Sequence, residues 1–262
     1  MPDTGPETEA LAALVAAGDP SRAVEMAAYH KTGRRTLGIA NPGIDALVAG
    51  WRADREVAGR VALARALWRS DIHEARIAAA KLLTQARIRD HEAEVWSEVL
   101  SWVPDFDAWA IADHACKAIE RRLAARPERL DVVEGWTADP NPWVRRAALV
   151  ATLPWTKQRH PDAAEAAARE RVLGWAAGYA TDRDWFIQKA VGGWLRSLSI
   201  HDPDRVRAFL DGPGRDLKPF ARREALRRLR DETGFGRAGN PTLAHACARG
   251  QPSVIASYSE FC

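Results

Sequence analysis

The chain has 262 residues, 47% of them apolar, and a formal net charge of only +3. No apolar run approaches the roughly 18 residues of a membrane span, and the bulk charge announces no polyanion partner. Three scattered cysteines, Cys116, Cys247 and Cys262, form no CxxC, and the start Met1-Pro-Asp-Thr-Gly-Pro6 lacks the basic patch and apolar core of a secretory signal, so a reducing cytoplasm is expected. Only six of the 38 basic residues are lysine, an arginine bias that a GC-rich genome would produce without function. Eleven tryptophans are harder to dismiss as drift, because Trp serves mainly in cores, interfaces and stacking platforms.

Residues 7–17 and 21–31 read as short amphipathic helices split by Gly18-Asp-Pro20, and 32–39 as a basic loop. Asn41-Pro42 is a cap and first-turn signature for a helix to Trp51. Helices follow over 56–68, from a Ser70-Asp71 cap to Ala86, and from an Asp90 cap to Trp102, where Pro104-Asp105 breaks the chain. The stretch 107–119 is helical, 126–138 reads as a helix opened by Pro127, and Asp139-Pro-Asn-Pro142 caps a helix over 143–153. A long helix spans 161–179, Asp182-Arg-Asp184 caps 185–199, Asp202-Pro203 opens another, and 219–230 is the last. No strand pattern occurs.

An internal repeat organises these helices. Arg76-Ile-Ala-Ala79, Asp113-His-Ala-Cys116, Arg145-Arg-Ala-Ala148, Gln188-Lys-Ala-Val191 and Arg222-Arg-Glu-Ala225 recur every 32 to 43 residues, each on the second helix of a pair. Two helices per period near 40 predict an all-α, HEAT-like solenoid of antiparallel pairs, with the second helices lining a concave basic groove. That placement collects Asp113, Arg145 or Arg146, Lys189 and Arg222 or Arg223 along one wall. Residues 1–230 are expected to form one domain and 231–262 a loosely ordered extension, in which 241–249 could be a short helix. Nothing requires a partner subunit, and a monomer is expected.

Several chemistries are excluded. There is no Walker loop or GxSxG, and Gly234-Phe-Gly236 is a lone GxG. Ile77 and Val95 stand where His73-Glu74 and His91-Glu92 would need the second histidine of HExxH, and His114-x-Cys116 and His245-x-Cys247 lack further ligands, so no metal and no cofactor is expected. The informative stretch is 107–119. Trp109 and Asp113 lie four apart and share a helical face, while Trp109, Ala112, Cys116, Ile119 and Leu123 form a stripe to be buried. A carboxylate at the edge of such a stripe is either a structural ion pair or a functional acid. Basic residues at successive repeats could track a phosphate backbone, and tryptophans could pack on sugars or bases, so a duplex is the natural ligand.

The stretches Ala108-Trp109-Ala-Ile-Ala-Asp113, Asn141-Pro-Trp143-Val-Arg-Arg146-Ala-Ala and Trp185-Phe186-Ile-Gln-Lys-Ala190-Val-Gly resemble the bacterial AlkD family of HEAT-like DNA alkylation repair glycosylases, over residues 25–229. The resemblance implies a monofunctional hydrolase that cleaves the N-glycosidic bond of cationic N3- or N7-alkylated purines in duplex DNA and leaves an abasic site for base excision repair. It implies that Asp113 is the catalytic aspartate, Trp109 the sugar-facing indole and Arg146 a backbone contact. Arg145, Trp143, Lys189, Trp185, Trp194, Arg222 and Arg223 are the further DNA-binding candidates. The family's second active-site tryptophan falls on Gly193 here, with Trp194 one position later and turned by about 100° on a helix. A non-catalytic binder of branched or damaged DNA and a protein-interaction scaffold are the alternatives.

Overall fold

Local capping sets where the helices begin. In the computed structural model, which describes residues 5–229, the chain runs α1 (Pro6–Ala16), α2 (Pro20–His30), α3 (Asn41–Ala53), α4 (Val57–Arg69), α5 (His73–Leu82), α6 (Glu92–Ser101), α7 (Trp109–Ala125), α8 (Leu130–Glu134), α9 (Pro142–Val150), α10 (Ala163–Gly178), α11 (Trp185–Leu198), α12 (Pro203–Asp211) and α13 (Pro219–Leu226). Asp19, Asn141, Asp184 and Asp202 each accept an amide of the first turn they precede. Asp162 and Glu165 form a reciprocal capping box that starts α10 two residues later than its proline suggests. Among the described residues there is no strand, only an isolated bridge between Arg35 and Ile72.

Five expectations need correction. Asn41 is the first residue of α3 behind Ala40 and caps nothing, and Asp90 sits in a 3₁₀ turn ahead of α6, whose start has no side-chain cap. Asp71 takes the left-handed region (φ 60°) and pairs with Arg34 instead of capping α5, which begins behind an uncapped Ile72. The 126–138 stretch is not one helix but 3₁₀ turns on either side of the five-residue α8. The α5 helix ends at Leu82, four residues short of the expected end. The expected extension 231–262, with its GxG and short helix, lies outside the described residues.

The repeat copies fall on α5, α7, α9, α11 and α13, and these helices pack on one another in that order, with α3 joining ahead of α5. This is the HEAT-like, all-helical architecture, one layer of second helices backed by the first helices of each pair. Its core is continuous from Ala10 to Ala225. The first copy position has a shared use. Arg76 donates from Nε to Trp68 O (3.2 Å), Gln188 from Nε2 to the carbonyls of Tyr179, Ala180 and Asp182 (2.9, 3.1 and 3.0 Å), and Arg222 from Nη1 to Leu210 O and Gly214 O (2.7 and 3.0 Å). Arg145 does the same to Asp139 O and Pro140 O (2.9 and 3.2 Å). Each side chain satisfies carbonyls left over where the first helix of its own pair ends or the turn begins. Asp113 is the exception, since a carboxylate has nothing to donate.

The loop over 32–39 is anchored from α5. Buried Glu74 accepts amides from Leu37, Gly38 and Ile39 (2.9, 2.8 and 3.4 Å), and Gly38 takes φ +80° with its Cα pressed against Asp19 O, where a Cβ would sit at 2.2 Å. Any other residue there would have to move the turn before α2. Arg34 of this loop reaches Asp107 (2.9 Å), one residue ahead of the turn into α7.

Candidate active site

The first turn of α7 carries Trp109, with Asp113 on the next turn of the same face. Trp109 is 8% exposed, held edge-on by Tyr29 (5.7 Å between centroids) and against His30 (5.0 Å) at the end of α2. His30 lies 4.7 Å from His73 on α5. Both ring nitrogens of His73 are buried without a hydrogen-bond partner among the described residues. Burial pushes His73 down to about 3 and His30 down to about 4, so both rings are neutral at physiological pH and behave as aromatic packing behind the indole.

Asp113 meets Arg146 in a bidentate pair, Nε to Oδ1 at 3.1 Å and Nη2 to Oδ2 at 2.7 Å. Arg146 Nη1 donates to Phe186 O (3.1 Å), so one guanidinium links α7, α9 and α11. The Arg146 side chain is 3% exposed and that of Asp113 10%. All three nitrogens of the arginine are engaged inside the protein, two of them on the carboxylate. The sequence left open a structural pair or a functional acid, and the geometry contains the pair while keeping a tenth of the carboxylate open. Next to it, burial raises the Cys116 thiol well above its ordinary range, and the cysteine packs as an apolar residue.

The remaining candidates separate into two groups. Trp143, Trp185 and Lys189 stay near the surface: Trp143 packs on Phe186 (4.7 Å), Trp185 is 48% exposed and stacks on Phe220 (5.7 Å), and Lys189 Nζ lies 4.7 Å over the Trp185 ring. Arg223 is exposed. Arg145 and Arg222 serve the turn carbonyls described above, and Arg145 also faces Asp182 (3.4 Å). Trp194 is 1% exposed and belongs to the core, so it does not take the place of an indole at position 193. A Cβ on Gly193 would meet nothing within 4 Å, and Gly193 borders a cleft shared with Arg146, Lys189 and Arg196.

Sequence reasoning missed the wall behind Trp109. Tyr29 and His30 come from a helix some 80 residues upstream, and no periodicity connects the two stretches. Among the described residues no group of three His, Cys, Asp or Glu side chains could hold a metal ion, and no helix is long and apolar enough to cross a membrane.

The family described as DNA alkylation repair enzyme matches residues 10–229. Among solved structures, a predicted DNA alkylation repair enzyme from Enterococcus faecalis is similar at 24% identity, covering 81% of this chain and 96% of its own, with a TM-score of 0.67. AlkD2 from Streptococcus mutans is similar at 18% identity over 72% of this chain and 90% of its own, with a TM-score of 0.53. No curated protein matches the chain.

Proposed function

Because this chain belongs to the DNA alkylation repair enzyme family, we propose that it is a DNA glycosylase, hydrolysing the N-glycosidic bond of cationic N3- or N7-alkylated purines in double-stranded DNA. The observation that carries this reading is the pairing of Asp113 and Trp109 on one face of α7, at the one repeat copy whose first residue is not spent on turn carbonyls.

The chemistry asks little of the protein. An alkylated purine already bears a positive charge and leaves without being protonated, so catalysis consists of stabilising the cationic sugar and positioning a water. A carboxylate about 4 Å from that cation contributes on the order of 4 kcal/mol at an effective dielectric near 20, roughly a thousandfold in rate. Arg146 draws on the same charge, which makes that figure an upper value. The Trp109 indole adds about 0.5 to 2 kcal/mol through cation–π attraction. Lys189, Arg223, Trp143 and Trp185, which keep exposed surface, are the residues to follow the duplex backbone and its sugars. No cofactor enters this scheme.

Two features favour a second reading, a binder of damaged or branched DNA that does not release bases: both oxygens of Asp113 are bonded to Arg146, and the wall at Gly193 has no indole. Incubating the protein with duplex containing 7-methylguanine and 3-methyladenine, and measuring the bases set free, decides between them. Release by the native protein and its loss in Asp113→Asn support the glycosylase. Tight binding of methylated or branched duplex with no release favours the second reading, and undiminished release by Asp113→Asn removes the aspartate from the mechanism.

A further inference from the structure

Two adjacent glycines in the middle of α11 have different reasons to be there. Gly192 faces α13: a Cβ on it would sit 2.8 Å from Ala221 O, so the close packing of the two helices demands glycine. Gly193 has no such reason. A Cβ there would meet nothing within 4 Å, and a glycine inside a helix weakens it relative to alanine. What the missing side chain leaves open is a cleft of about 30 Å³. At about 10 to 15 Å³ for each water-sized group, that is room for two or three non-hydrogen atoms.

The inside of the cleft is largely apolar. Leu149, Val150 and Leu153 line it from one side, Ala190 and Gly193 of α11 from the other, and buried Trp194 is part of its wall. The indoles of Trp68, Trp102 and Trp175 donate to Asp105, Glu98 and Glu134, whereas the buried Trp194 Nε1–H has no acceptor among the described residues. The cations at the cleft are already engaged: Lys189 lies over the Trp185 ring, and Arg196 pairs with Glu224, itself a lining residue. A phosphate is therefore a poor occupant, and a short chain carrying an acceptor oxygen is a good one. Arg146 also lines the cleft, and its guanidinium holds Asp113, so the space adjoins the place of base release.

We propose that this cleft receives the substituent on the damaged purine, and that it selects 2-hydroxyethyl and similar short oxygen-bearing chains on N3 or N7 over methyl. The proposal rests on the glycosylase reading. The three non-hydrogen atoms of a hydroxyethyl group match the space, and its oxygen gives the Trp194 N–H an acceptor. A methyl group, one carbon long, reaches neither. Gly193 and Trp194 are on this account specificity residues: one leaves the entrance open, the other supplies the single donor, and neither takes part in breaking the glycosidic bond.

The test uses the full chain and three duplexes, alkylated with methyl, ethyl or 2-hydroxyethyl groups. Released bases are quantified by chromatography, each against its own uncatalysed loss, and binding is measured on the same duplexes. The native protein is expected to release hydroxyethyl bases about fivefold faster than ethyl ones, the worth of one hydrogen bond. Trp194→Phe keeps a ring and loses that preference. Gly193→Leu fills the cleft and lowers the ratio of hydroxyethyl to methyl release roughly tenfold. Melting temperatures show that both variants are folded. No preference for hydroxyethyl over ethyl in the native protein, its persistence in Trp194→Phe, or a ratio unmoved by Gly193→Leu overturns the proposal. Release of methylated bases with no such preference sinks this inference alone. Release of no base of any kind sinks the glycosylase reading, and the same comparisons read in binding then decide whether the cleft takes the substituent.

Discussion

Asp113 and Gln188 occupy the same position of the second and fourth repeat units, and they have opposite uses. Gln188 is fully buried and makes four hydrogen bonds, three donated to carbonyls after α10 and one accepted from the Lys218 amide at 2.9 Å. Asp113 leaves its own turn alone. That turn is served from outside: Asp105 O accepts from Arg76 of the preceding unit (3.3 Å) and Phe106 O from Asn141 of the following one (2.7 Å). Two neighbours have taken over the structural task, and the central unit is thereby free to carry an acid. A repeat protein can free a position for chemistry by moving its bonds to the units on either side.

The largest expected effect comes from breaking the exception. Arg146→Ala leaves a mostly buried carboxylate without its partner, and breaking such a pair costs about 3 to 5 kcal/mol, reduced here by the open tenth of Asp113. The same change removes the two bonds that fix the Asp113 oxygens, so base release should fall as well, while Arg146→Lys restores part of both. Urea titration and a base-release assay check the two effects separately. Base release at the native rate in Arg146→Ala would mean that the arginine is structural only.

Breaking the rule should have the converse outcome. Gln188→Ala strands three carbonyls and an amide at a site with no exposure, at about 1 kcal/mol per bond and more for any group left dry, or roughly 2 to 4 kcal/mol in all. Base release at 25 °C, where the fold persists, should stay within about twofold of the native protein, because Gln188 has no path to the sugar. A melting curve beside a release assay tests this. Loss of activity at unchanged melting temperature would abolish the division of labour between the two positions.

How much of this could be read in advance follows from how local each signal is. Caps are local, so the starts after Asn141, Asp184 and Asp202 were legible. The Ser70-Asp71 cap failed because Arg34, distant in sequence, captures Asp71. The single helix over 126–138 failed at both ends of α8, which has Pro127 ahead of it and Gly135 directly after it. At the site, repeat spacing brought α7 and α9 together but could not choose between Arg145 and Arg146, which point about 100° apart on one helix. One went to the turn and the other to Asp113. Trp194 was expected at the groove on its proximity to Gly193, and that same rotation sends it into the core.

The smallest effect concerns the wall behind Trp109, where sequence gave no hint at all. His73 is neutral in the folded protein down to about pH 3, whereas in the unfolded chain it protonates near its ordinary 6.5. The folded pKa is the lower one, so the contribution is present above about pH 6.5 and is lost as pH falls towards 3. Between those limits the unfolded state binds one more proton, a slope of about 1.4 kcal/mol per pH unit from this residue alone. His73→Phe keeps a ring against His30 and removes the titration. Its urea midpoints at pH 6 and pH 4.5 should therefore differ less than those of the native protein, and Trp109 fluorescence should hold its native signal further into acid. Equal slopes would show that water reaches the His73 ring in solution, and the neutral packing behind the indole would then have to be carried by His30.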